Sequence, residues 1–217
     1  MDKHKLATEK QLWSHFAQTW ELGYWCKYLA DDPNDEDHAA GIWEAFGFER
    51  DRFKDLIVLD VGCGPTGRMR YFKDHKGSGK IIGMDPLMDE YRKLKNARLS
   101  AYDELIASPA EEFIQELENK FDFVVSLNAL DHGYDLQKSL ENLYKYMKSD
   151  SEALISFDCI NEYQEDMTHP LRIRDKEVDA LLLKLNFRII DKTTQQTIPP
   201  RDNWGHGIHY HWSLAKR

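Results

Sequence analysis

The chain has 217 residues, 41% hydrophobic and 31% charged, a balance that suits one compact globular domain with a substantial core. Its net charge of −9 opposes a nucleic-acid backbone, and no Lys/Arg stripe with interleaved aromatics offsets it, so no nucleic-acid partner is expected. The longest apolar runs, LIVLDV and FDFVVSL, fall far short of the roughly 20 residues a membrane helix needs, and the opening MDKHKLATEKQ has no apolar signal core. The expectation is a cytoplasmic protein with no membrane partner, a monomer or homodimer.

From Leu12 to Leu29 the residues Trp13, Phe16, Trp20, Tyr24 and Tyr28 recur at helical spacing and predict one amphipathic helix. The acidic run DDPNDEDH, Asp31 to His38, reads as a solvated connector, and a short segment from Trp43 to Phe48 precedes the first strand. Residues 1–50 are therefore expected to form a helical cap and 51–217 the main domain. Strands are predicted at LIVLDV, Lys80 to Met84, Ser100 to Ile106, Phe121 to Leu127 and Ala153 to Phe157. Helices are predicted at Gly67 to Lys73, Met88 to Lys95, Ala110 to Lys120 and Leu136 to Met147. A helix from Lys176 through Leu185, a strand from Phe187 to Lys192 and the alternating run HYHWSLAKR complete the chain. Apolar strands separated by helices point to a parallel sheet covered on both faces. The fold class is α/β: a doubly wound, mostly parallel seven-stranded sheet with helices on both faces and an antiparallel C-terminal hairpin.

Cys26, Cys63 and Cys159 are odd in number and widely spaced, which indicates reduced thiols rather than a disulfide framework or a structural zinc site. His209 and His211 share one strand face, but the sequence places no carboxylate partner beside them, so no metal is expected.

The loop GCGPTG after the first strand places Gly62, Gly64 and Gly67 where a doubly wound sheet builds its ligand crevice. Glycines there let the backbone approach a ligand closely. A carboxylate beneath the loop, Asp60, would repel a pyrophosphate and attract a cationic group, which disfavours a nicotinamide dinucleotide. The second strand ends IIGMDPL, and Asp85 lies close to the roughly 20 residues beyond the loop at which an acidic side chain accepts ribose hydroxyls. A helix N-cap is the other reading of Asp85.

LDVGCGPTG followed by GMD, SPAEEF and FDFVVSLNALDH resembles the ordered motif set of the class I S-adenosylmethionine-dependent methyltransferases, small-molecule type, over roughly Leu56 to Lys192. The resemblance implies S-adenosylmethionine as cofactor and S-adenosylhomocysteine as product. By position it places Asp60, Gly62, Cys63 and Gly64 at the methionine end and Asp85 at the ribose. Pro86 and Leu87 fall against the adenine ring, Ala110 and Glu111 at its edge, and Asn128, Ala129 and Leu130 on the cofactor's open side. It also implies that the segment before the sheet folds over the cofactor as a lid, with Tyr24 and Trp25 toward the substrate.

Methyl transfer needs the acceptor held about 3 Å from the methyl carbon, opposite sulfur, and needs a base only when the acceptor must lose a proton. His132 follows the fourth strand, and an imidazole titrating near roughly 6.5 suits that role; packing on the cofactor or capping the next helix suits it too. His169 and Arg172 come after the fifth strand, where this fold commonly builds acceptor walls. Arg172 fits either an acceptor carboxylate or phosphate or an ion pair within the protein. Trp204 and His206 stand in PPRDNWGHG, where the last hairpin can lean over the pocket. Ser126 to Ala129 departs from the Asn/Asp-Pro-Pro-aromatic motif of enzymes that methylate DNA bases. The expected acceptor is thus the oxygen or nitrogen of a small molecule. The other reading is a catalytically inactive cofactor-binding partner or regulatory protein.

Overall fold

The computed structural model describes residues 10–31, 36–73, 79–160, 171, 173–195 and 207–216. A short π-helical turn, Trp13–Ala17, leads into helix α1, Gln18–Asp31, and helix α2 follows at Glu36–Ala45. The end of the acidic run therefore belongs to a helix rather than to a connector. Then come β1 (Ile57–Val61), α3 (Arg70–Lys73), β2 (Lys80–Asp85), α4 (Met88–Tyr91), β3 (Glu104–Ala107) and β4 (Phe121–Leu127). The chain continues through α5 (Leu136–Tyr146), β5 (Met147–Ile160), α6 (Asp175–Lys184), β6 (Phe187–Gln195) and β7 (Gly207–Lys216).

The seven strands form one sheet in the order β3-β2-β1-β4-β5-β7-β6. Strands β1 to β5 pair in parallel, while β7 is antiparallel to both β5 and β6, which is the expected C-terminal hairpin. Alternation along each strand feeds two cores. Leu59, Val61, Val124, Ile155 and Phe157 pack against Leu140 and Leu143 of α5 and Val178 and Leu182 of α6. Val58, Ile81, Phe123, Val125 and Leu154 pack on the other side with Trp43 of α2, Phe72 of α3 and Tyr91 of α4.

The segment Ala110 to Lys120 forms no α-helix; it holds a single 3-10 turn, Gln115–Leu117. The buried Tyr146 hydroxyl accepts the Ile114 N–H at 2.9 Å and donates to the Glu112 carbonyl at 3.1 Å. That tertiary tie takes two backbone groups a helix would need, so propensity loses. Strand β3 is shorter than expected because Leu99–Ala101 turns as a 3-10 helix. Strand β5 is longer, because Glu152 to Ile160 is paired residue by residue with β7.

Trp212 locks the hairpin to α6. Its ring is fully buried and its indole N–H donates to Asp179 at 2.8 Å, while Lys192 bridges Asp175 and Asp179 at 2.8 and 2.7 Å. Trp212→Ala should destabilise the fold by about 3–5 kcal/mol and Trp212→Phe by about 1–2 kcal/mol, read as lowered urea midpoints.

Candidate active site

The turn after β1 is tied to the end of β2. Gly62 N–H donates to the Met84 carbonyl at 2.8 Å, and Gly64 N–H donates to Asp85 Oδ2 at 3.0 Å. Gly62 has φ +68°, and a Cβ there would stand 2.2 Å from Ala129 Cβ; at Gly67, φ +65°, it would stand 2.1 Å from the Arg98 carbonyl oxygen. Both positions demand glycine by backbone conformation and by space.

A cleft partly open to solvent lies at the carboxyl ends of β1, β2, β3 and β4. Of the positions expected at the cofactor, Gly62, Gly64, Asp85, Pro86, Leu87, Ala110, Glu111, Asn128, Ala129 and Leu130 line it. Asp60 and Cys63 do not. Asp60 is fully buried behind the loop and accepts the Tyr102 hydroxyl at 2.8 Å. Its burial raises the carboxyl, against the pull of Arg68 and of Tyr102. Cys63 fills the space beside Gly83, and burial pushes its thiol well above the usual range.

Asp85 borders the cleft and is not the helix N-cap, which is Leu87. Its Oδ1 accepts the Leu87 N–H at 2.9 Å, closing the turn that precedes α4. Burial pushes its carboxyl up to about 6, the N–H groups of Leu87 and Gly64 oppose that, and the nearby Glu21 charge adds to it. Glu111 Oε1 accepts the N–H groups of Tyr134 and Asp135 at 2.7 and 3.3 Å, so it also holds the loop that enters α5. The α5 cap is Asp135, which accepts from the Lys138 N–H, and not His132.

The N-terminal elements form the roof, through Trp13, Gln18, Glu21 and Trp25. Trp13 donates its indole N–H to the His132 carbonyl at 2.7 Å, and Trp25 donates to Glu21 Oε1 at 2.7 Å. The Trp25 ring lies 3.6 Å from the position a Gly64 Cβ would take. His132 faces the cleft with Nδ1 3.7 Å from Glu21 Oε2. Tyr24 does not line the cleft: it is 44% exposed and stacks on Trp20 at 5.8 Å, on the outer side of α1. His169, Arg172, Trp204 and His206 lie outside the described residues.

Three features escape a reading of motifs. Arg68, next to the last glycine of the loop, is the one Lys or Arg among the described residues that line the cleft. Its guanidinium donates to the carbonyls of Leu127 at 2.9 Å and Gly62 at 3.2 Å, and its Nε is buried without a partner. Glu21 enters the site from a helix whose docked face only the fold reveals. His209 finds a carboxylate after all, Asp158 at 2.7 Å, while burial and His209 push the neighbouring His211 down to about 4. No group of three metal-ligating side chains occurs among the described residues. Gly62→Ala should cost about 1–3 kcal/mol, from the left-handed backbone and the collision with Ala129, measured as a lowered urea midpoint.

A family model described as a methyltransferase domain matches residues 52–193. The ubiquinone biosynthesis O-methyltransferase of Brucella anthropi is 23% identical over 176 residues, covering 70% of this chain and 68% of that protein. The 1,6-didemethyltoxoflavin-N1-methyltransferase of Burkholderia thailandensis, solved with 1,6-didemethyltoxoflavin and S-adenosylhomocysteine, superposes with a TM-score of 0.61 at 17% identity, over 100% of this chain and 92% of that one. A [4+2]-cyclase superposes at 0.65 and 13% identity, over 92% and 94% of the two chains, which shows the fold alone. Domain match, strand order and cleft agree: the chain belongs to the methyltransferase-domain family and has the fold of the class I S-adenosylmethionine-dependent methyltransferases.

Proposed function

We propose that the chain binds S-adenosylmethionine in this cleft and transfers its methyl group to an oxygen or nitrogen of a small molecule. The observation that carries the reading is the Asp85 carboxylate at the end of β2, bordering the cleft and bonded to the glycine loop through Gly64. Each of its oxygens already accepts one N–H and keeps a lone pair for a ribose hydroxyl. The open backbone of Gly62 and Gly64 takes the methionine part, with Arg68 suited to its carboxylate. Pro86 and Leu87 take the adenine face, Ala110 and Glu111 its edge, and Asn128, Ala129 and Leu130 the side toward the acceptor.

In the reaction an acceptor lone pair attacks the methyl carbon in line with the carbon–sulfur bond. That bond breaks with its electrons going to sulfur, which leaves S-adenosylhomocysteine. An acceptor hydroxyl or ammonium gives up its proton to a base, and His132 is the imidazole lining the cleft. Residues 1–50 act as the cap, with Trp13 and Trp25 excluding water from the site. His169, Arg172, Trp204 and His206, outside the described residues, are proposed for the acceptor side on their sequence positions alone. The small-molecule class is supported by relatives named for such substrates, one an O-methyltransferase and the other an N-methyltransferase, which leaves the atom undecided between them.

Asp85→Ala should weaken S-adenosylmethionine binding at least about tenfold in calorimetry while the protein stays folded, because a charge-assisted acceptor of two hydroxyls is lost. Unchanged affinity would remove Asp85 from the site. The pH dependence follows from its carboxyl standing at about 6 in the empty cleft. The ionised form accepts the ribose hydroxyls, so binding should be full above that pH and roughly tenfold weaker one unit below it. Asp85→Asn should bind weakly with that pH step gone. Release of S-adenosylhomocysteine with a panel of phenols, amines and carboxylic acids tests turnover; binding without turnover on any acceptor would favour a non-catalytic partner protein.

A further inference from the structure

The roof carries a carboxylate into the cleft. Glu21 is 22% exposed and is held from two sides, by the Trp25 indole on Oε1 at 2.7 Å and by the His132 imidazole 3.7 Å from Oε2. It therefore reaches the turn after β4. It shares the cleft lining with Asp85 and Tyr91, and its charge raises both the Asp85 carboxyl and the Tyr91 hydroxyl. In the cofactor reading the donor lies in the same cleft that Glu21 lines together with Asp85 and Asn128 to Leu130. Arg68 makes no ion pair with this carboxylate: its terminal nitrogens each donate one N–H, to the carbonyls of Leu127 and Gly62 on the floor of the cleft, and each keeps a second.

Donor and product differ at one atom. The donor sulfur is a sulfonium with a full positive charge and no N–H or O–H to offer, so nearby negative charge is one way for a protein to recognise it, beside an aromatic face. The product sulfur is neutral. Resting on the cofactor reading above, we propose that Glu21 is the specificity-determining residue that distinguishes S-adenosylmethionine from S-adenosylhomocysteine. Its carboxylate attracts the sulfonium under the closed roof and loses that attraction when the methyl group leaves. Burial in a partly desolvated cleft strengthens the effect relative to water.

Calorimetry on the full chain with three ligands tests this: S-adenosylmethionine, S-adenosylhomocysteine and sinefungin, in which an ammonium-bearing carbon replaces the methylated sulfur. Glu21→Gln keeps an oxygen for the Trp25 N–H and removes only the charge. The expected result is about tenfold weaker binding of the two cationic ligands, with S-adenosylhomocysteine changed less than about twofold. Glu21→Asp should keep the preference for the cations. Trp25→Phe, which removes the indole donor and leaves the charge, should weaken all three alike. Equal weakening of all three by Glu21→Gln, or no weakening, would overturn the proposal and leave the cofactor reading standing. A folded wild-type protein that binds none of the three would overturn both.

Discussion

Asp85 joins the pieces of the cleft. One carboxylate accepts the N–H of Gly64 from the loop after β1 and the N–H of Leu87 from the turn into α4. It thereby fixes two of the four loops that make the floor, and it does so while buried, where a charge is costly unless its bonds are made. The rest of the floor follows from the sheet. β1 lies between β2 and β4, so the loops leaving those three strands meet at the point where the strand order reverses. Gly62 then presses against Ala129 at a distance that no side chain would allow. A crevice lined by bare backbone is the outcome, and bare backbone is what an extended ligand such as an adenosyl amino acid can lie along.

The roof imposes a second constraint. Trp13 and Glu21 both meet the turn that holds His132, one by its indole N–H and the other by its carboxylate. The Trp25 ring covers Gly64 on the opposite rim. The helix is thus fastened on both sides of the cleft, and a ligand must either pass the roof or wait for it to lift. Charge is arranged to match: carboxylates of Glu21, Asp85 and Glu111 line the site, with Arg68 beneath. In the proposed reading a ligand that is cationic at its centre, hydroxylated at one side and carboxylated at one end would meet Glu21, Asp85 and Arg68 in turn.

The strands were legible because they are buried on both faces and so read as unbroken apolar runs, LIVLDV and FDFVVSL above all. Helix extents were less legible. The Tyr146 hydroxyl takes backbone groups from the segment around Glu112 to Ile114, and nothing local to that segment announces it. The floor of the site could be read in chain order, since each loop follows its own strand. The roof could not: Tyr24 and Trp25 are neighbours about 100° apart around a helix, and only docking decides that Trp25 faces the cleft while Tyr24 stacks outside with Trp20. Arg68 and the Asp158–His209 pair were hidden for the same reason. Arg68 reaches Leu127 from a loop 59 residues away, and Asp158 and His209 are set opposite each other by the β5–β7 register across 51.

The most direct test of the central claim is calorimetric titration of the folded chain with S-adenosylmethionine beside NADH. Micromolar binding of S-adenosylmethionine with no binding of NADH is the result the cleft predicts, since its carboxylates suit a sulfonium and oppose a pyrophosphate. Binding of NADH in preference, or of neither ligand, would contradict the assignment of the cleft and leave the α/β fold without its cofactor.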